Sequence, residues 1–280
     1  MTFLPDETVA EKALPDATLP GLWPLVRILR TCRFVDLTHG FSAETPHSPD
    51  FGPARIKQLY GYEDELNGRP AGFLAHEFSF AGQYGTHVDP PGHFHRGMRL
   101  LDELPVAEMV LPLAVLDITA AVERDPDSCV GLADLERWEN VHGRVPAGAF
   151  VALRSGWSRR WPSQEHMLNR DAAGIRHSPG WSLAVLRKLF EERGIAACGH
   201  ETIDTDPGLT LSLTGEGPLE RYVLGRDRWQ IELMANLDEV PEAGAMLVAS
   251  WPKAIGASGF PARIFAIHGR NEAPDRHDAA

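Results

Sequence analysis

Between Gln83 and His93 the chain reads Gln-Tyr-Gly-Thr-His-Val-Asp-Pro-Pro-Gly-His, with Phe94-His95 immediately after. Side chains two apart in an extended strand share a face. Gln83, Gly85, His87 and Asp89 are therefore expected to project together until Pro90-Pro91 ends the strand. Gly85 carries no side chain and is expected to leave room on that face for an ion or a substrate. His93 and His95 follow the turn, where they could fold back over the site. An imidazole, a carboxylate and an amide oxygen form a mixed N/O donor set that suits Mn²⁺, Zn²⁺ or Fe²⁺ and not a soft thiolate metal. So few fixed ligands leave coordination positions open, which lets a cation polarise a carbonyl and make water acidic near neutral pH. A single histidine in a Gly/Pro loop is more often a capped or exposed side chain; the clustering is what points to a metal centre.

These side chains need a scaffold, and the surrounding text supplies one. From Arg33-Phe34-Val35-Asp36-Leu37-Thr38 onward, short apolar and β-branched runs are broken by Gly, Pro and Asp, the pattern of strands and turns. Further strands are expected at 111–118, 149–154, 195–199, 229–234, 246–251 and 262–267. Ser182–Arg193 reads as a helix, with Ser182 as its cap and Leu183, Leu186, Leu189 and Phe190 on one face. Leu132–Val141 is a second helix, and 159–176 is a polar surface excursion. Strands outnumber helices and helices lie between them, which predicts a mixed α/β domain. Residues 1–30 form a Pro-rich acidic arm around Leu22-Trp23-Pro24-Leu25-Val26, and 31–280 form a single domain.

Composition narrows the partners. A net charge of −12 and a pI near 5.4 offer no basic face for nucleic acid. No uncharged apolar run approaches the ~20 residues that span a bilayer, so no membrane partner is expected. Cys32, Cys129 and Cys198 are odd in number and widely spaced, which fits a reducing, cytoplasmic setting. The expected partner is a small-molecule substrate. Trp23, Phe41, Phe80, Tyr84 and Phe94 are candidates for an apolar wall around it, although aromatic side chains more often belong to the core.

The run from Gln83 to His93 resembles the signature His-x-Gly-Thr-His-x-Asp-x-Pro-x-His of the cyclase-like metal hydrolases, which include bacterial kynurenine formamidase and isatin hydrolase. The resemblance extends through Val35-Asp36-Leu37-Thr38-His39, Arg154-Ser155-Gly156-Trp157, Gly199–Pro207, Glu232 before Asn236-Leu237-Asp238, and Gly259–Arg263. It implies a swivelling β/β/α domain, a curved barrel-like sheet with peripheral helices, assembled as a homodimer or homotetramer. It also implies that His87 and Asp89 bind the metal, that His93 is the acid/base and that Glu232 lies at or beside the metal. Gln83 replaces the first signature histidine, so that ligand becomes an amide oxygen. This tilts preference from Zn²⁺ toward Mn²⁺. Glu220 stands twelve residues before Glu232, where similar formamidases carry a second-metal histidine. One divalent metal is therefore expected rather than two. His200-Glu201 departs from the family's residues and is expected to offer a substrate-binding pair, with Glu220, Tyr84 and Phe41 as further substrate contacts.

The reaction expected is hydrolysis of an amide, lactam or ester of a small cyclic or aromatic molecule, with His93 shuttling the proton. The alternatives are a kynurenine formamidase-type arylformamidase and a catalytically inactive metal-containing binding protein of the same fold. A serine hydrolase is disfavoured because Gly256-Ala257-Ser258-Gly259-Phe260 lacks the last glycine of a nucleophile elbow. HExxH, GxGxxG and P-loop motifs do not occur.

Overall fold

The computed structural model describes residues 21–270, so most of the expected arm lies outside the described residues. The arm's end forms α1 (Trp23–Leu29), on which Trp23, Leu25, Val26 and Ile28 are exposed.

The strands, in chain order, are β1 (Arg33–Asp36), β2 (Arg55–Tyr60), β3 (Glu65–Leu66), β4 (Arg69–Pro70), β5 (Ala75–Ser79), β6 (His87–Asp89), β7 (Val110–Asp117), β8 (Phe150–Arg154), β9 (Ala197–His200), β10 (Trp229–Glu232), β11 (Ala245–Ser250), β12 (Phe260–Pro261) and β13 (Arg263–His268). All the strands expected from β-branched runs are present to within a few residues. One nine-stranded sheet runs β1-β13-β11-β7-β8-β9-β10-β6-β12. Its centre, β7 through β10, is parallel and its flanks are antiparallel. Parallel neighbours need crossovers. These are α2 (Thr119–Arg124) and α3 (Leu132–His142) before β8, α4 (Gln164–Leu168) and α5 (Leu183–Arg187) before β9, and α6 (Gly208–Thr214) with α7 (Pro218–Gly225) before β10.

Every residue of β8 is buried, as a central parallel strand requires. Phe150 and Ala152 join a core with Val35, Val88, Leu247 and Ile264, while Val151 and Leu153 join one with Leu135, Val185, Leu189 and Leu224. The first core contains no α-helical residue, because the sheet curls round it; the second is where helices pack outside. This is the α/β fold with a curved sheet and peripheral helices that the sequence led us to expect.

Ser182 caps α5 as expected, its hydroxyl accepting from the Val185 amide, and a wider turn carries the helix on to Arg193. Val185 takes the buried place expected for Leu183, which is exposed. A second difference concerns the site. Only His87–Asp89 is strand, because Gly85 adopts φ +64° and breaks the extended run expected from Gln83. Its missing side chain does not make room for an ion: a Cβ there would meet the Thr45 methyl at 3.2 Å. The ribbon of β2 and β5 and helices α2, α6 and α7 were not expected.

Candidate active site

Strand register assembles the site. β6 runs antiparallel to β10 with His87 opposite Glu232 and Asp89 opposite Gln230, while Val88 points into the core. The strand period of two thus turns His87 and Asp89 to one side. His87 Nε2 lies 3.3 Å from Asp89 Oδ2 and 3.6 Å from Glu232 Oε2. One ligand atom from each of the three residues falls within 4.8 Å of the others. The ring of His87 is held by its Nδ1, 2.7 Å from the Gly85 carbonyl oxygen. That contact puts the proton on Nδ1 and leaves the Nε2 lone pair facing the carboxylates.

His87 Nε2 and both Asp89 carboxylate oxygens are buried and make no hydrogen bond. Unpaired buried polar atoms are costly unless something satisfies them. An imidazole lone pair and two carboxylates converging in this way fit a divalent cation.

A second layer fixes the first. The Gln230 amide nitrogen donates to Glu220 Oε1 and to Glu232 Oε1, both at 3.1 Å, and Gln230 Oε1 accepts from the Thr205 hydroxyl at 2.8 Å. Glu220 sits in the first turn of α7, where the Asp206 carboxylate accepts from the amides of Leu219 and Glu220 at 2.9 and 3.0 Å. His93 follows the Pro90-Pro91 turn and places Nε2 3.9 Å from Glu220 Oε1. The Gln83 amide nitrogen donates to the Ser258 carbonyl at 2.8 Å and lies 3.5 Å from His93 Nδ1. Glycine at 259 permits this approach, since a side chain there would collide with the Gln83 amide. His200 Nε2 stands 3.4 Å from Glu232 Oε1.

Gln83, His87, Asp89, His93, Glu220 and Glu232 line a cavity of about 400 Å³ together with Ser48, Asp50, Phe51, Phe94, Asp204 and Arg221. Its walls are strongly acidic. Burial, reinforced by the charges of Glu220, Asp89 and Asp204, pushes Glu232 well above the ordinary carboxylate range. Burial and the charges of Asp89, Asp204 and Asp206 do the same to Glu220. Burial also works to raise Asp89, but His87 and His93 more than offset it, so Asp89 is held below the usual range. Burial and the neighbouring His87 push His200 down to about 3, so its ring is neutral.

Gln83, His87, Asp89, His93, Glu220 and Glu232 are all brought to the cavity. Glu201 is not. Its carboxylate is buried and accepts from the Ser155 amide and hydroxyl, the Trp157 amide and the Ser158 hydroxyl. The expected His200-Glu201 substrate pair is not found: His200, the last residue of β9, stands behind Glu232 and does not line the cavity, and Glu201 beyond the strand end turns to Ser155, Trp157 and Ser158. Tyr84 is fully buried with its hydroxyl on the Ala43 carbonyl, and Phe41 packs edge-on against Phe80 and Tyr84; neither lines the cavity. His95 turns away to the Arg221 carbonyl at 2.8 Å. Thr86 is structural, its hydroxyl donating to the Leu233 carbonyl. Gln230, Asp204 and Arg221 were missed. Gln230 shares the face of Glu232 two residues on, a parity the sequence did carry, whereas Asp204 and Arg221 reach the cavity from loop and helix geometry that no spacing reveals.

The Cyclase family model matches residues 35–207, which include Gln83 through His93 and His200 but stop short of Glu220 and Glu232. An isatin hydrolase of Roseibium aggregatum is 30% identical over 245 residues, spanning 83% of this chain and 90% of its own. The solved isatin hydrolase A from Ralstonia solanacearum superposes with a TM-score of 0.81 at 31% identity, covering 90% of this chain and 99% of that one. An isatin hydrolase solved with the product analogue thioisatinate superposes with a TM-score of 0.78 at 26% identity, over 88% of this chain and 96% of that one.

Proposed function

This chain belongs to the cyclase family and is a hydrolase, and from that premise we propose that it uses one divalent cation to hydrolyse a lactam, amide or ester of a small cyclic or aromatic molecule. The observation that carries the reading is the convergence of His87 Nε2, the Asp89 carboxylate and the Glu232 carboxylate as buried, mutually facing donors, with the first two making no hydrogen bond of their own. These three residues would hold the ion. Gln83, whose amide nitrogen is tied to Ser258, keeps only Oε1 for it. One imidazole among oxygen donors favours Mn²⁺, with Zn²⁺ as the alternative. When bound, the ion supplies Lewis-acid polarisation of the scissile carbonyl and lowers the pKa of water beside it.

The chain's own residues do the rest. His93 takes up the proton released as the water oxygen bonds to the carbonyl carbon, carries it at Nε2, and hands it to the leaving nitrogen or oxygen as that bond breaks. Glu220, 3.9 Å away, orients the ring. The product is a carboxylate, and Arg221, the only Lys or Arg among the described residues lining the cavity, offers it a cation over the Phe94 ring. An aromatic lactam is the favoured substrate, because the isatin hydrolases are similar over most of both chains and Phe51 and Phe94 give the cavity aromatic walls.

Arylformamide hydrolysis through a second metal is disfavoured, since among the described residues His, Asp and Glu side chains converge in one cluster, His87, Asp89 and Glu232. A homo-oligomer is supported by the ribbon of β2 and β5, where Ile56, Leu59 and Phe78 are exposed on a two-stranded unit that does not stabilise itself. Among the described residues no helix is long and apolar enough to cross a membrane. Free Cys32, Cys129 and Cys198 fit a cytoplasmic setting.

The deciding experiment strips the protein with a chelator, restores Mn²⁺ or Zn²⁺, and assays isatin beside small lactones and formamides. Activity should vanish and return with metal; activity indifferent to chelation would overturn the reading.

A further inference from the structure

Ser48, Asp50 and Phe51 line the cavity from the stretch between β1 and β2, which contains no helix or strand. Backbone without a ladder takes one shape only if other groups hold its amides and carbonyls. Here Gln164 does so at His47, beside an isolated antiparallel bridge from His47 to Tyr84. Gln164, at the start of α4, accepts from the His47 amide through Oε1 at 2.8 Å and donates through Nε2 to the His47 carbonyl, also at 2.8 Å. A single primary amide thus pairs with both peptide groups of the residue preceding Ser48, as a neighbouring strand would.

Other contacts reinforce the same clasp. The His47 ring stacks on Tyr84 at 4.9 Å, and His39 lies flat on Trp161 at 4.0 Å and 7°. Gln164 is itself referenced to the catalytic cluster. The turn leading into α4 hangs on Glu201 through Ser155, Trp157 and Ser158, and Glu201 adjoins His200, which faces Glu232. The excursion that includes α4 therefore packs on its own chain's cavity wall.

We propose that Gln164 is a positioning residue that determines substrate specificity, setting where Ser48, Asp50 and Phe51 stand relative to the His87–Asp89–Glu232 cluster. The wall it holds offers an aromatic face, a carboxylate and a hydroxyl. That combination selects a planar aromatic substrate whose ring packs on Phe51 and whose N–H is received by Asp50 or Ser48. The substrate part of this inference rests on the hydrolase reading above; the clasp does not.

Two measurements on the metal-loaded protein test it, in Gln164→Ala and in the isosteric Gln164→Glu, which keeps the acceptor for the His47 amide and loses the donor. Hydrogen exchange of peptides covering 42–51 should quicken by about tenfold or more in Gln164→Ala and by less in Gln164→Glu, as expected for losing two hydrogen bonds or one. In kinetics, KM for isatin should rise about tenfold in Gln164→Ala with kcat within about twofold, while KM for a small aliphatic lactone changes little, the pattern of lost substrate placement. Unchanged exchange over 42–51 in both variants, or a fall in kcat common to all substrates at constant KM, overturns the proposal. Should the wild-type protein with Mn²⁺ or Zn²⁺ turn over none of these substrates, the hydrolase reading fails, and exchange alone decides the clasp.

Discussion

His93 and Glu220 face one another, Nε2 to Oε1, at 3.9 Å, and the Glu220 oxygen shares one Gln230 amide nitrogen with Glu232. A single side-chain amide therefore joins the proton-carrying pair to the metal-facing carboxylate. The spacing suits a histidine whose ring must be held in one orientation while it carries a proton to and from the substrate. Replacing Glu220 by Gln keeps the shape and removes the carboxyl group that faces His93 Nε2. We expect kcat to fall about tenfold, as when an interaction of about 1.4 kcal/mol that positions a reacting group is lost, with metal content unchanged by elemental analysis. Loss of metal in Glu220→Gln would instead make Glu220 a ligand.

The acid/base and ligand roles separate in a pair of variants. His93→Ala should retain its metal and lose about 10²–10⁴ in kcat, the usual contribution of a positioned proton carrier. Asp89→Ala should lose metal and activity together, since its two carboxylate oxygens are the unpaired acceptors facing His87. Full metal occupancy in Asp89→Ala, measured on folded protein, would show the ligand set to be wrong.

The same carboxylates predict how metal and pH act on stability. Burial raises Glu220 and Glu232 well above the ordinary carboxyl range. A carboxyl raised by folding binds more protons folded than unfolded between its ordinary and its raised pKa. Stability must then fall as pH climbs through that window. Asp89 is shifted the other way, so its favourable contribution is already complete above the ordinary Asp range and is flat across it. His200 and His39, whose rings burial pushes down to about 3 and about 4, work the other way up to the ordinary histidine range, so metal-free protein should melt at progressively lower temperature from about pH 6.5 to pH 8. Adding Mn²⁺ should raise the melting temperature, and more so at pH 8 than at pH 5. A metal-free melting temperature that climbs from about pH 6.5 to pH 8 would contradict it.

Much of this was legible beforehand, and the reason is physical. His87 and Asp89 share a face because strand parity is local, and the β-branched runs that became β7, β8 and β13 announce themselves through burial on both faces. The third metal-facing group came from register. Glu232 stands opposite His87 through a pairing between segments over 140 residues apart, which spacing cannot reveal and only the family resemblance supplied. Gln83 reaches the cavity, but not by strand parity, because Gly85, a glycine that resembled empty space in a strand, takes a left-handed conformation. Glu220 depended on α7, whose Pro218 start is readable but whose cap, Asp206, comes from a distant loop.

Glu201 gives the sharpest correction and so the last prediction. From its place beside His200 it was expected to touch substrate, yet its two oxygens collect four donors from Ser155, Trp157 and Ser158. Burial raises its carboxyl pKa and those hydrogen bonds oppose the rise, so it acts as an anchor and not as a reacting group. Glu201→Ala would strand buried backbone amides at Ser155 and Trp157, each costing about 1–3 kcal/mol when left unpaired. Denaturant unfolding should show a loss of about 3–5 kcal/mol, in the range for breaking a buried charged network. Glu201→Gln, which retains one acceptor oxygen, should lose roughly half as much. Turnover per folded, metal-loaded molecule should stay within about threefold of wild type in Glu201→Gln, because the cavity lining is untouched. A variant with unaltered stability and a large rise in KM would return Glu201 to the substrate.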